Sequence, residues 1–131
     1  MNLRQLYFTV VAVIAIDQLT KFFLFSSEMT LNTGVSFSLL SFFPQWALVL
    51  VLWGVLLVVW RWDKELWVRN QIATGMFFGA AVSNLLDRVL YGGVRDFLPV
   101  PLLGVENNLA DYSLTIGLLL ILFKEFRRQH E

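Results

Sequence analysis

Val94-Arg95-Asp96-Phe97-Leu98-Pro99 and Glu106-Asn107-Asn108-Leu109-Ala110-Asp111-Tyr112-Ser113 are the two passages on which the reading of this chain turns. Each carries an aspartate at the edge of an apolar segment, and prolines at 99 and 101 break the chain between them. A carboxylate taken into a membrane is costly and is rarely kept without a task. Two carboxylates in contact point further, to shared-proton chemistry, because each negative charge disfavours the other.

Composition argues for the membrane. Of 131 residues 57% are hydrophobic, with twelve Phe and five Trp, and the mean hydropathy is +0.66. A soluble domain has too little polar surface left to cover that much apolar side chain. Four apolar stretches stand out, at about 6–25, 43–60, 70–91 and 109–123. A helix needs about 20 residues to cross the hydrocarbon core. The fourth stretch is the shortest, and it spans only if its polar start lies inside the membrane. The first does not read as a cleavable signal peptide, since Asp17 and Lys21 lie within it and no small-residue cleavage pattern follows. The expected architecture is one all-α membrane domain over 1–131, with four transmembrane helices and a small β or loop element outside.

Basic residues orient it. Arg4 precedes the first span, Arg61, Lys64 and Arg69 fill the second connection, and Lys124, Arg127 and Arg128 follow the last span. The positive-inside rule then puts both termini and the middle loop in the cytoplasm, with 26–42 and 92–108 facing outward. Net charge is zero and the pI is near 6.6, which gives no reason to expect nucleic acid as a partner. Membrane lipids are the expected surroundings. Cysteine is absent, so disulfides, thiolate nucleophiles and Cys-ligated metals are excluded for this chain. The lone His130 lies in a charged tail.

The anchors allow a depth estimate. Asp17 is 13 residues from Arg4, and Asp111 is 13 residues from Lys124. At about 1.5 Å per residue both lie about 20 Å above the cytoplasmic face. Asn84, counted from Arg69, reaches about 22 Å, and Asp87 and Arg88 follow within a turn. Polar groups from three helices thus meet at one level in the outer leaflet, whereas the second helix is apolar from Trp46 to Trp60, Arg-free and Asp-free, and reads as scaffold. Each group also has a plain structural explanation. Asp17 and Lys21, four apart, can pair on one face. Asn84, Asp87 and Arg88 share a face as well, where an Asp–Arg pair would close a helix end. Asn108 and Asp111 can be an N-cap and its first-turn acid. Gly34 can mark an ordinary turn. Taken together, so many polar clusters at one depth exceed what stability requires.

At a helix N-terminus Asp111 is favoured as carboxylate by the dipole. Asp96, in a non-helical stretch beside Phe97 and the prolines, is the carboxyl whose pKa should rise. A pair of this kind can activate water with its charged member while the neutral one hydrogen-bonds a scissile carbonyl. That is peptide hydrolysis without metal, cofactor or covalent intermediate. A metal centre is disfavoured, since no His lies in the membrane region and a hard cation needs several convergent oxygens. Ser83 and Ser113 lack a His or additional Lys as base.

At these residues the chain resembles signal peptidase II, the lipoprotein signal peptidase of bacteria. Asp17-Gln18-Leu19-Thr20-Lys21 is similar to the family's D-Q-x-T-K, and Asn32-Thr33-Gly34-Val35-Ser36-Phe37-Ser38 to its N-x-G-A-A-F-S. Ser83-Asn84-Leu85-Leu86-Asp87-Arg88 resembles G-N-x-x-D-R, Gly93-Val94-Arg95-Asp96-Phe97 resembles G-x-V-x-D-F, and Asn107-Asn108-Leu109-Ala110-Asp111 resembles F-N-x-A-D. Ser83, Asn107 and Val35-Ser36 depart from the family pattern, and the segment between the two aspartates is short for the family. The resemblance implies an aspartic endopeptidase of the bacterial cytoplasmic membrane, cutting prolipoproteins just before a cysteine that carries diacylglycerol. It implies Asp96 and Asp111 as the catalytic pair. Asn32, Asn84, Asp87, Arg88 and Asn108 match its substrate-positioning and site-shaping residues, with Asp17 and Lys21 from the first motif beside them.

Two rival functions remain to be weighed. A small four-helix transporter would use Asp17 as a proton-coupled acid, but the polar weight sits in the second half at outer-leaflet depth, with no path to the inner face. A structural membrane partner without chemistry leaves the Asp96/Asp111 arrangement unexplained.

Overall fold

The computed structural model describes residues 2–25, 31–34 and 42–130. Val35-Ser36-Phe37-Ser38, part of the second motif, lies outside the described residues. The elements run α1 (Arg4–Leu24), α2 (Gln45–Trp62), α3 (Lys64–Arg69), α4 (Gln71–Tyr91), β1 (Leu98–Val100), β2 (Val105–Asn107) and α5 (Leu109–Gln129). The short α3 is capped by Asp63, whose Oδ1 accepts from the Leu66 N–H at 2.9 Å. It occupies a connection in which the sequence pattern suggested no element. The last apolar stretch, expected to be short at 109–123, belongs to a helix of 21 residues. Its extra turns carry Lys124, Glu125, Arg127 and Arg128, charges that do not break a helix but do hide its length from a hydropathy reading.

Helix α4 is the centre of the bundle, with α1 on one flank and α5 on the other. Glycines permit the approach. A Cβ at Gly75 would lie 2.6 Å from the Thr9 Cβ, and one at Gly79 would lie 3.0 Å from the Val10 Cα. On the other flank, a Cβ at Gly117 would sit 2.6 Å from the Ala73 carbonyl oxygen. Close backbone packing of this kind gains dispersion contacts where lipid offers no hydrophobic incentive for helices to associate. Helix α2 rests on α4 more loosely through aromatic contact, with the Trp60 and Phe78 rings edge to face at 5.5 Å. Arg69 and Asn70 bind Glu125 and so tie the start of α4 to the end of α5.

Burial is inverted relative to a soluble domain. The outer surface carries Phe8, Phe22, Phe23, Trp46, Leu50, Leu119 and Phe123, whereas Asp17, Lys21, Thr74, Ser83, Asp87 and Asn108 are buried. Two helices, α1 and α2, are long and apolar enough to cross a membrane by themselves, with mean hydropathy 1.5 and 1.7. Buried Thr74, Ser83, Asp87 and Arg88 lower the average of α4, and the charged last turns lower that of α5.

The loop after α4 begins at Gly92, a left-handed C-cap (φ 74°) whose N–H donates to the Arg88 carbonyl at 3.1 Å. Val94 and Asn32 then exchange two backbone hydrogen bonds, of 2.8 and 2.9 Å. Gly93 lets that segment come close, because a Cβ there would lie 2.9 Å from the Leu31 Cβ. Strands β1 and β2 pair antiparallel in the register Leu98 with Asn107, Pro99 with Glu106 and Val100 with Val105. Hairpin and bridge together hold residue 96 at the end of the bundle, and β2 leads directly into α5.

Candidate active site

Asp96 is placed by backbone contacts on both sides, the Val94–Asn32 bridge before it and the Phe97 N–H donating to the Asn107 carbonyl at 3.0 Å after it. Its Oδ2 accepts from the Asn32 Nδ2 at 2.9 Å, and its Oδ1 accepts from the Asn108 Nδ2 at 2.6 Å. Burial pushes this carboxyl up to about 6; the Asp111 charge adds to the rise, and the amides of Asn32 and Asn108 and the Lys21 charge oppose it.

Asp111 stands in the first turn of α5. Asn108 is the N-cap, its Oδ1 accepting from the Asp111 N–H at 2.9 Å, while the Asp111 Oδ2 accepts from the Asn108 N–H at 3.3 Å. This reciprocal capping box satisfies two otherwise free donors. The remaining Asp111 oxygen, Oδ1, accepts from the Asn84 Nδ2 at 2.9 Å. Asn108 therefore holds both aspartates, one through its side-chain amide and the other through its cap. Asp96, Asp111, Asn32, Asn84 and Arg88 line one cavity of about 210 Å³.

Under that cavity lies a buried ionic cluster from three segments. Lys21 Nζ sits 2.6 Å from Asp17 and 3.1 Å from Asp87, and donates to the Asn84 Oδ1 at 2.9 Å. Asp17 also accepts from the Ser83 hydroxyl at 2.7 Å and from the Ala110 N–H at 2.8 Å, which pins the start of α5. Asp87 accepts from the Arg95 N–H at 3.0 Å and from its guanidinium at 2.8 Å. A buried charge is tolerated when it is paired and fully hydrogen-bonded, and each member of this cluster is.

A sequence model of the family described as signal peptidase (SPase) II matches residues 9–127. The chain belongs to this family. Among curated signal peptidase II relatives, the lipoprotein signal peptidase of Campylobacter jejuni subsp. doylei is 44% identical over 105 residues, 77% of this chain and 67% of that one. The lipoprotein signal peptidase of Helicobacter pylori (strain P12) is 36% identical over 104 residues, 75% of this chain and 65% of that one. Two solved structures of a bacterial membrane enzyme, obtained by the in meso method, share the fold. The one at 2.3 Å resolution has a TM-score of 0.70 and 24% identity, covering 94% of this chain and 88% of its own. The other, at 1.9 Å, has a TM-score of 0.68 at 24% identity, with 90% of each chain covered.

In this signal peptidase II chain the residues singled out from sequence fall into two layers. Asn32, Asn84, Arg88, Asp96 and Asp111 border the cavity, and Asn108 bridges the two carboxylates. Asp17, Lys21 and Asp87 are not among the cavity-lining residues; they act from beneath, Lys21 reaching the cavity through Asn84. Two pairings differ from the simple expectation. The Asp17–Lys21 pair exists but is shared with Asp87 from α4. Asp87 does not pair with neighbouring Arg88 but binds Lys21 and Arg95, and Arg88 instead donates to the Asn84 and Gly34 carbonyls. Gln18 and Arg95 were missed. Gln18 binds Ser83, Asp87 and Arg95; its place in the D-Q-x-T-K motif was the signal that could have singled it out. Arg95 read as an outward loop charge and is buried.

Proposed function

We propose that this protein is a membrane aspartic endopeptidase that removes signal peptides from prolipoproteins, cleaving before the diacylglyceryl-modified cysteine, with Asp96 and Asp111 activating water. The observation that carries the reading is the convergence of these two carboxylates on one cavity, each held by Asn108. Membership of the signal peptidase II family supports the substrate class.

Asp111 is the charged partner and Asp96 carries the shared proton. Asp111 takes a proton from water as the water oxygen attacks the scissile carbonyl carbon, and Asp96 passes its proton to the carbonyl oxygen. The C–N bond then breaks, the leaving amine takes the proton from Asp111, and the diol returns one to Asp96. Water is consumed and both carboxyls end as they began, with neither metal nor cofactor in the cycle. Asn32, Asn84 and Asn108 aim the carboxylates, and Lys21, itself held by Asp17 and Asp87, fixes the Asn84 amide. Arg88 borders the cavity and keeps a buried Nε without a hydrogen-bond partner among the described residues, which suits it to receive a substrate carbonyl.

The protein crosses the bacterial cytoplasmic membrane four times, through α1, α2, α4 and α5, with both termini inside and the site at the outer leaflet. The basic residues near the proposed inner ends support that orientation, and a helix of 21 residues such as α4 or α5 is about 32 Å long, enough to cross. Lipid bathes the apolar exterior, so the substrate's acyl chains can stay in the leaflet while its peptide enters the cavity. The test is cleavage of a diacylglyceryl prolipoprotein by the purified protein and by Asp96→Asn and Asp111→Asn variants that still insert. Unimpaired cleavage by either variant would remove that residue from the mechanism.

A further inference from the structure

Arg95 immediately precedes Asp96, yet its side chain takes a different set of partners. It is buried, donates to the Asp87 Oδ1 at 2.8 Å and to the Gln18 Oε1 at 2.7 Å, and covers the Tyr91 ring with its guanidinium carbon 4.1 Å from the centroid. Its backbone N–H donates to the same Asp87 carboxylate at 3.0 Å. One buried carboxylate thus grips both the main chain and the side chain of the residue next to Asp96.

We propose that Arg95 is a positioning residue for Asp96, its double hold on Asp87 fixing the backbone from which the Asp96 carboxyl meets Asp111. The inference rests on Asp96 and Asp111 being the catalytic pair. Asp87 is the hub of the arrangement. On one arm it holds Arg95, and through the main chain Asp96; on the other it holds Lys21, which orients the Asn84 amide whose Nδ2 binds Asp111. The two carboxyls arrive from different segments, a loop and a helix, and this shared anchor gives them a common frame. Charge supports the same role. Asp17 and Asp87 are balanced by Lys21 and Arg95, so loss of Arg95 leaves a net negative cluster under the site. The ionisable groups that face Asp96 are Asp111 from α5, Lys21 from α1 and Arg88 from α4. An unbalanced negative charge beneath them favours the protonated form of Asp96. Arginine is required for its planar fork, whose Nη2 and Nε meet the two Asp87 carboxylate oxygens at 2.8 and 3.4 Å while Nη2 also donates to Gln18; a lysine ammonium keeps the charge without that fork.

The experiment compares wild type, Arg95→Gln, Arg95→Lys and Asp96→Asn as full chains in lipid nanodiscs, with diacylglyceryl prolipoprotein as substrate and the folded fraction measured by thermal unfolding. In Arg95→Gln, kcat per folded enzyme should fall about 100-fold, the size of loss that follows a misplacement near 1 Å. KM should stay within about twofold, since substrate contacts are untouched. The alkaline limb of kcat/KM should move to higher pH, and Arg95→Lys should return the limb toward wild type while recovering kcat only in part. If Arg95→Gln keeps wild-type kcat per folded enzyme with an unmoved limb, or loses activity solely by losing folded protein, the positioning role is wrong. If Asp96→Asn cleaves like wild type, the catalytic pair itself is wrong, an outcome distinct from the first.

Discussion

Asn108 donates its side-chain amide to the Asp96 Oδ1 at 2.6 Å, and the same side chain caps the helix that carries Asp111. Two carboxyls on independent segments are thereby referred to one residue. The capping box is a common device for ending a loop and starting a helix, and here its acid also faces the cavity.

Asn108→Ala should accordingly do two things at once. Loss of the cap should cost about 1 kcal/mol of stability. Loss of the amide that holds Asp96 should lower kcat about 100-fold, well beyond what the stability change explains. Thermal unfolding and single-turnover cleavage on the same preparation separate the two, and a kcat that tracks folded fraction alone would contradict the shared-anchor role.

Each of the two proposed catalytic aspartates should be individually indispensable. Asp96→Asn and Asp111→Asn preserve shape and one of the two accepting oxygens but abolish proton exchange, so each should reduce cleavage by at least about 1,000-fold, in the upper range for general acid–base groups. The double variant should be no worse than either single one, because the two residues act as a unit. Cleavage rates of the purified single and double variants check this.

The pH profile should carry the Asp96 proton. Its carboxyl is raised to about 6, and in the proposed mechanism the protonated form is the active one. As pH rises through that value the proton leaves and kcat/KM falls; below it Asp96 stays protonated and contributes no limb of its own. A profile of kcat/KM against pH should therefore bend downward on the alkaline side near that value, with the apparent constant belonging to the pair. A flat profile through that region would assign the proton elsewhere.

Asp87→Asn should destabilise more than it rearranges. The buried carboxylate is the partner of both Lys21 and Arg95, and removing it strands two cations. The cost should be about 3 kcal/mol or more, as for breaking other buried pairs. A melting temperature in detergent within a degree of wild type would show the cluster to be hydrated rather than buried.

Gly75→Leu probes the bundle away from the site. A Cβ there meets the Thr9 Cβ at 2.6 Å, so α1 must shift from α4. Destabilisation of about 2 kcal/mol is expected for overpacking of this size. Because α1 carries Asp17 and Lys21, cleavage should fall along with stability, which combined unfolding and activity measurements would reveal.

Much of this site is visible in the linear sequence, but unevenly. The Asn108–Asp111 cap is a local pattern, three residues apart, and was legible as such. That Asp17, Asn84 and Asp111 come to one level of the bundle was legible by counting residues inward from basic anchors. Gln18 was legible only as the fixed glutamine of the D-Q-x-T-K motif, with nothing to say what it binds, and Arg95 left no such signal, since an arginine in a loop has many ordinary explanations. The length of α5 was underestimated because charged residues continue a helix as readily as apolar ones.

What the sequence by itself determined is the apolar segments, the level at which polar residues interrupt them, and the motifs that place the chain among signal peptidases II. These depend on composition and on spacing along one helix, both of which are local. The tertiary structure alone decided the partners: Asp87 with Lys21 and Arg95 rather than Arg88, Lys21 with Asn84 across 63 positions, and Asp96 with Asp111 through Asn108. Charge pairing falls off with distance in space and is indifferent to distance along the chain. It is therefore settled where Gly75, Gly79 and Gly117 let three backbones approach.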